Sequence, residues 1–480
     1  MVKFQKPIAL VFGLVAWPFR PVTSWVRSRP RLRFWLGIMR LGLFQLGIGL
    51  SLAPITGTLN RVLIDELSIS AAAVALLISM HYFVSPVRAI IGYRSDKSRS
   101  MGKWRTPYIV LGVMLTYGGL ALAPFALILL GGDGKVSFGV ALVICVGIFM
   151  AYGAGVSIVE TVYLALVSDI TPQEDRGKVL SVLWMMLIIG TVLSAVIVSG
   201  LLVDYSHMLL IKVMQGSAIA FVGLTVFALW QQEQLNPDGS IKSDLKTVRI
   251  RLSLWESIQL VSKERVLQGL LVVIFIATMA FATHDVLLEP YGGQVLNMSV
   301  SATMQLTALW GLATVVGVLL AAYLLWRRKA PVMLIAAGCA VGLIGFAIIS
   351  IASDATLVEP FRIGIVLISL GRGLFLVGSI ILVMSLTDVS HAGLFLGIWG
   401  IVQAMAQGIG TIGGGVVRDL AQYLTGSVKL GYTIVYGGSL VLLLIVITIL
   451  ALRLGKRLHV SEIKMPWSGV EEIPADQLAF

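Results

Sequence analysis

Apolar runs of membrane-spanning length recur along the chain, each closed by a short polar segment. Twelve stand out, at 34–56, 70–91, 106–130, 137–163, 179–202, 208–230, 267–289, 301–325, 331–352, 363–386, 393–416 and 431–453. About 20 consecutive apolar residues cross the hydrocarbon core as a helix. Within that core a segment must satisfy its own backbone polar groups. The pattern predicts an all-α integral membrane protein with 12 transmembrane helices. Ahead of them, residues 1–33 hold a short apolar run at 8–17, broken by Pro18, Pro21 and Pro30, with seven Lys or Arg. No small-residue cleavage site follows. The segment reads as an amphipathic stretch on the cytoplasmic membrane surface and not as a signal peptide.

The longest polar stretch, 231–266, falls near the middle of the chain. Asn236-Pro237-Asp238-Gly239 is a turn signal, and 252–266 can form a surface helix. The expected organisation is a cytoplasmic N-terminal segment (1–33), a six-helix bundle (34–230), a cytoplasmic linker (231–266), a second six-helix bundle (267–453) and a cytoplasmic tail (454–480). The halves echo each other. Leu67-Ser68-Ile69-Ser70-Ala71 opens span 2 and Met298-Ser299-Val300-Ser301-Ala302 opens span 8, 231 residues later. An echo near half the chain length points to duplication. Two six-helix repeats around a midplane cavity form the frame of a two-bundle transporter.

Composition narrows the class further. Of 480 residues, 58% are hydrophobic and 12% are charged, with mean hydropathy +0.94. A soluble domain is about 25% charged. A soluble enzyme, a disordered chain and a disulfide-stapled scaffold are excluded. The net charge of +12 marks topology and not nucleic-acid binding. Basic residues crowd alternate gaps: Arg94, Lys97, Arg99, Lys103 and Arg105; Arg176 and Lys178; Lys242 through Arg265; Arg327, Arg328 and Lys329. The opposite gaps hold only a few, such as Arg61, Lys135 and Lys429. Basic loops stay inside, so both termini are expected to be cytoplasmic. Cys145 and Cys339 lie in apolar runs without metal-ligand spacing.

Gly92-Tyr93-Arg94-Ser95-Asp96-Lys97 separates spans 2 and 3. It resembles the G-x-x-x-D-[RK] loop of the major facilitator superfamily, which places Gly92, Asp96 and Lys97 in a cytoplasmic loop motif. Gly408-Ile409-Gly410-Thr411-Ile412-Gly413 matches G-x-G-x-x-G, but it lies inside span 11 with no preceding strand, so these glycines read as helix-packing positions. No Walker A loop, H-E-x-x-H or G-x-S-x-G motif appears, and a non-enzymatic role is expected.

Longer blocks are more specific. They are Arg40-Leu41-Gly42-Leu43-Phe44-Gln45; Gly57-Thr58-Leu59-Asn60-Arg61-Val62-Leu63-Ile64-Asp65-Glu66-Leu67; Ser85-Pro86-Val87-Arg88; His284-Asp285-Val286-Leu287-Leu288-Glu289-Pro290-Tyr291-Gly292-Gly293; and Ala392-Gly393-Leu394-Phe395-Leu396-Gly397-Ile398-Trp399-Gly400. Together they resemble the PucC family, the bacteriochlorophyll-delivery branch of the major facilitator superfamily, over nearly all of 34–455. The resemblance implies a multi-pass protein in the cytoplasmic, intracytoplasmic or thylakoid membrane of a phototrophic bacterium. It implies a factor that hands chlorophyll or bacteriochlorophyll to antenna or photosystem polypeptides, or shepherds those polypeptides. Hydropathy alone leaves an ion-coupled secondary transporter of a small solute as the alternative. A solute carrier calls for a wet cavity, and a pigment carrier for a greasy cavity or lateral groove.

Charges inside the bilayer are costly and mark functional candidates. In the superfamily, spans 1, 4, 7 and 10 line the cavity. Here they carry Arg40, Glu160, Asp285 with Glu289, and Arg372. The expected ion pairs are Arg40 with Glu160, and Arg372 with Asp285 or Glu289, serving either to brace each bundle or to contact substrate; Arg40 can instead snorkel to the inner surface. Asp285 and Glu289, four apart, are expected to share a helical face that Pro290 ends. His81 and His284 are the intramembrane histidines, and the resemblance makes them candidate ligands to the magnesium of a tetrapyrrole pigment; the alternative is hydrogen bonding between helices. Gln403 and Gln407 read as interhelical glue.

The charge asymmetry is directly testable. A topology reporter fused after Arg99, near Asp238 or at the C-terminus should read cytoplasmic, and one near Gly132 or Gly293 should read external. An external signal at Asp238 contradicts the two-bundle arrangement.

Overall fold

The computed structural model describes residues 29–84, 91, 105–131, 136–171, 175–230, 232, 265–352, 357–385 and 392–454. Twelve long helices carry these residues, and no strand occurs among them. In chain order they are α1 (Pro30–Ala53), α2 (Ala71–Phe83), α3 (Thr106–Leu122, continued by a turn to Leu130), α4 (Phe138–Ile170), α5 (Arg176–Leu201), α6 (His207–Leu229), α7 (Arg265–Ala282), α8 (Val300–Trp326), α9 (Pro331–Ala352), α10 (Val358–Ser385), α11 (Ala392–Thr425) and α12 (Val428–Ile449). Nine of the described helices are long and apolar enough to cross a membrane, and Ala71–Phe83 and Leu267–Ala282 are shorter apolar helices. The remaining one, α11, is rich in glycine and glutamine and ends past Arg418 and Asp419. Large apolar side chains such as Val143, Ile219, Phe227 and Leu319 face outward, as a lipid solvent requires.

Helix ends follow local chemistry. Pro30 opens α1 at a position where its missing N–H costs nothing. Ser70, Ser206, Ser299 and Ser427 each cap the helix that follows them, accepting from the backbone N–H three residues on. The linker 233–264, the tail 455–480, residues 1–28 and the loop holding Arg88, Gly92, Asp96 and Lys97 lie outside the described residues.

The two halves repeat one packing scheme. In the first, α1 packs on α5 and α6, α4 on α2 and α3, and α3 on α6. In the second, α7 packs on α11 and α12, α10 on α8 and α9, and α9 on α12. Between halves, α2 meets α11 and α5 meets α8.

The echo that opens spans 2 and 8 is real, but its register is 229 residues and not 231. Ser68 (φ 53°) and Asn297 (φ 52°) each reverse the chain in the left-handed region. The next N–H, of Ile69 or Met298, then returns to the carbonyl of Leu63 or Gly292. Such a bond, reaching six residues back around a left-handed residue, closes the helix end as a C-cap one residue wider than the Schellman motif. Ser70 and Ser299 follow as N-caps. Letter matching aligned Ser68 with Ser299; capping geometry aligns Ser70 with it.

The G-x-G-x-x-G stretch is a packing seam. A Cβ on Gly410 would stand 2.6 Å from the Met279 carbonyl oxygen of α7, and one on Gly415 would stand 2.6 Å from that of Ala71 in α2. A Cβ on Gly413 meets nothing within 4 Å. Gly415→Val should therefore force α2 and α11 apart, at about 1–3 kcal/mol for overpacking, and lower the melting temperature in detergent. Gly413→Ala should leave it unchanged. Equal effects of the two substitutions would contradict the seam.

Candidate functional site

Call the end of the bundle opposite Pro30 and Leu454 the far end. There α1 does not stop at Ala53. It continues through two π-helical stretches, Pro54–Leu59 and Val62–Glu66. This extension is buried from Gly57 to Ile64, including Asn60 and Arg61. Arg61, placed in an outer gap by hydropathy, is thus inside the protein.

Facing it, α7 ends at Ala282, the chain turns through 283–287, and a short helix runs Leu288–Gln294. Pro290 explains the break. It has no N–H to offer the carbonyl four residues earlier, which belongs to Val286. The Asn60 amide, from the other half, donates to that carbonyl at 2.9 Å. In return Gln294 donates to the Ile64 carbonyl at 3.0 Å. Arg61 donates to the Met298 carbonyl at 2.8 Å and pairs with Asp65 at 3.2 Å. The Thr307 hydroxyl of α8 donates to Glu289 Oε1, whose carboxyl lies against Gly57.

These contacts are reciprocal. With the 229-residue register, Asn60 corresponds to Glu289 and Gly57 to Val286. Asn60 reaches Val286, and Glu289 reaches Gly57. Likewise Asp65 corresponds to Gln294 and Ile64 to Gly293. Gln294 reaches Ile64, and Asp65 lies against Gly293. The far-end closure is a pseudo-twofold contact, in which the same positions of each half meet across the axis.

Further bonds extend it. Asp419 of α11 accepts from the Ala72 N–H in the first turn of α2 at 2.8 Å, a favourable place for an acidic group. Arg418 pairs with Asp419 at 2.8 Å and donates to Gln294 Oε1 at 2.5 Å, and the Tyr432 hydroxyl donates to the same oxygen at 2.7 Å. Ser199 of α5 donates to the Ser301 carbonyl of α8 at 3.0 Å. Among the described residues, the hydrogen bonds joining the halves gather at this end.

A second cluster lies deeper. Arg372 of α10 holds both oxygens of Asp285, at 2.8 and 3.0 Å. Gln407 of α11 donates to the same carboxylate at 3.4 Å, and the guanidinium sits over the Trp310 ring at 5.3 Å. Gln403 accepts from Thr278 at 2.9 Å, linking α11 to α7. The pair keeps some exposure, 14% for Arg372 and 23% for Asp285.

Several expectations need correction. Asp285 and Glu289 do not share a face, because the turn at 283–287 separates them; Asp285 goes to Arg372 and Glu289 to Thr307. Arg40 does not pair with Glu160. It donates to the Trp230 carbonyl at 3.1 Å, where a cation suits the end of α6. Glu160 lies half-buried on α4. His284 is fully enclosed, edge-on to Phe346 at 5.5 Å and 3.9 Å from Asp285; axial ligation of a macrocycle needs an open approach, which this ring lacks. His81 is half-buried, and its Nδ1 is bonded to the Ile78 carbonyl at 2.7 Å. The structure therefore brings Asp285 and Arg372 together, and gives Glu289 and Arg40 other partners.

Sequence reasoning passed over Asn60, Arg61, Asp65, Gln294, Thr307, Arg418 and Asp419. Asn60, Arg61 and Asp65 fall in a quoted block, and the proline at 290 marks the carbonyl that Asn60 satisfies.

Comparison with known proteins places the chain. The family described as "PUCC protein" matches residues 58–457. Protein PucC of Cereibacter sphaeroides is 38% identical over 389 residues, covering 80% of this chain and 84% of that protein. Protein PucC of Rhodovulum sulfidophilum is 38% identical over 392 residues, covering 80% and 85%. A Rhodobacter capsulatus protein named "Bacteriochlorophyll synthase 44.5 kDa chain" is 29% identical over 421 residues, covering 86% and 94%. Among solved structures, a bacterial homolog of the human lysosomal transporter Spinster, inward-facing and unoccupied, superposes with TM-score 0.68 at 14% identity, covering 90% and 98%. A D-xylose–proton symporter gives 0.62 at 15%, covering 85% and 96%. The fold is that of the major facilitator superfamily.

The Arg372–Asp285 pair yields a two-step expectation. Arg372→Ala strands a carboxylate in the membrane interior, and breaking a buried pair costs about 3–5 kcal/mol. Membrane protein levels should fall sharply. Arg372→Ala with Asp285→Asn should restore them, whereas Arg372→Ala with Glu289→Gln should not. Equal rescue by both would contradict the separation of the two carboxylates.

Proposed function

The chain belongs to the PUCC protein family, and from that membership we propose that it is a membrane-embedded assembly factor for photosynthetic light-harvesting complexes. In this reading it delivers or holds chlorophyll or bacteriochlorophyll for antenna polypeptides. Its setting is the photosynthetic membrane of a phototrophic bacterium, with both termini cytoplasmic. The observation that carries the reading is the family match over 58–457, which takes in both blocks that meet at the far end.

The distribution of polar groups supports it. Away from the far end, the charged pair seen among the described residues is Arg372–Asp285 with Gln407. A shallow groove of about 360 Å³ opens on the outer wall between α3 and α4, lined by Met114, Leu115, Gly118, Leu122, Ile144 and Ile148. Such a surface suits apolar contact within the bilayer. His284, being enclosed, is set aside as a pigment ligand; His81 keeps that role in the proposal. Catalysis is not part of it, although one relative's name contains the word synthase.

The superfamily fold favours a second reading, an ion-coupled secondary transporter of a small solute, since the neighbours include a proton symporter. One experiment separates the two. The protein is purified from its native membrane in mild detergent, and its absorption spectrum and bound proteins are recorded. Tetrapyrrole bands with co-purifying antenna polypeptides are expected. A colourless protein without such partners, which drives solute uptake in proteoliposomes, would establish the transporter instead.

A further inference from the structure

Glu289 is a carboxyl group in an unusual position. It is fully buried, 1% exposed, at the seam between the halves. Thr307 donates to Oε1, and Oε2 has no hydrogen-bond partner among the described residues. An added Cβ on Gly57, across the seam, would stand 3.1 Å from Oε2 and nearer still to Oε1. No ion pair reaches Glu289 among the described residues. The charged groups around it have other bonding partners. From α1, Arg61 pairs with Asp65 and bonds the Met298 carbonyl. On its own short helix, Tyr291 stacks on Phe361. In the preceding turn, Asp285 is held by Arg372, beside the enclosed His284. From α11, Arg418 is bound to Asp419 and Gln294. α8 contributes Thr307 and has no charged residue along Val300–Trp326.

We propose that Glu289 is a proton-binding site, and that its bound proton holds the two halves together at the far end. The pseudo-twofold gives the reason. Asn60, the equivalent residue of the first half, always carries donor N–H groups, and uses one on the opposing Val286 carbonyl. A carboxyl group has a donor only while it is protonated. Protonated, Glu289 leaves one hydroxyl unsatisfied, which is a modest cost. Ionised, it leaves a buried charge with one hydrogen bond among the described residues, which is a far larger one.

When the O–H bond breaks and the proton passes to water, the new charge can be relieved in two ways. The seam can open to hydrate it, or Arg61, whose Nε and Nη1 have no acceptor, can be drawn off Asp65 and Met298. Either change loosens the closure. The site thus links proton occupancy to the separation of the halves, and this is a property of the chain without cargo. It stands or falls independently of the antenna reading.

The test uses the full chain in lipid nanodiscs, with Cys145→Ala and Cys339→Ala and spin labels at Val203→Cys and Tyr423→Cys. Both label sites are exposed at the far end, one on each half. Raising the pH should increase a long-distance population, with a closed-to-open ratio that falls by up to about tenfold per pH unit for one proton. Glu289→Gln, which keeps shape and supplies a permanent donor, should stay closed at every pH. Asn60→Asp, which places a second titratable group at the equivalent position, should steepen the pH response. A wild-type distance independent of pH, or a pH response unchanged in Glu289→Gln or in Asn60→Asp, overturns the proposal.

Discussion

A backbone carbonyl released from its helix inside a membrane must find another donor, because lipid offers none. Pro290 releases such a carbonyl, that of Val286, and the only described donor that reaches it comes from the opposite half of the molecule. The far end of α1 has the same problem at Ile64, and Gln294 solves it in the opposite direction. Each half therefore completes the hydrogen bonding of the other. The π-helical turns of α1 bring Asn60 and Arg61 into the seam, and the early end of α7 turns the chain back toward it. Much of the closure follows from those two irregularities, and both sit in the blocks that carry the family resemblance.

The two polar clusters answer to different physics. The far-end bonds cross between halves and are mostly neutral or directed at carbonyls. Hydrogen bonds between membrane helices are worth about 0.6 kcal/mol each on average. The crossings made by Asn60, Arg61, Gln294, Asp419 and Ser199 then sum to about 3 kcal/mol, enough to favour closure and small enough to be reversed. The Arg372–Asp285 pair stays within one half. Separating the halves need not break it, so its charges can remain in place while the geometry around them changes. A closure made of weak reciprocal bonds beside a stable interior pair suits a protein whose halves rock against each other.

The spans were legible because lipid imposes one simple rule on composition. The seam was less so. Hydropathy falls between residues 60 and 66 whether the charges there meet water or one another, so Arg61 and Asp65 read as a loop although the helix continues through them. Pro290 was recognised as a breaker, but its effect was assigned downstream of itself. The hydrogen bond that proline removes lies one turn upstream, so the helix ends at Ala282 and the i,i+4 relation of Asp285 to Glu289 disappears. The echo of Ser-x-Ser-Ala was visible, yet letters alone could not say which serine caps. Arg372 and Asp285 were identified as possible partners from charge and depth. Arg40 and Glu160 satisfied the same criterion, yet Arg40 bonds the Trp230 carbonyl instead, since complementary sign does not fix a partner.

The departure from symmetry at positions 60 and 289 is where duplication and function part. A duplicated closure is cheapest to maintain with the same neutral donor on both sides, as an asparagine pair would give. Here one side retains the amide and the other carries a carboxyl group, enclosed against Gly57 and served by Thr307 among the described residues. Glutamate at such a site is a less dependable neutral group than an amide, because its charge comes and goes with the proton. Stability by itself therefore gives no reason for it. What the carboxyl group adds is a dependence of the closure on proton occupancy, located on the half that also holds Arg372 and Asp285. The symmetric part of the seam accounts for why the halves meet, and the asymmetric part for when they can part.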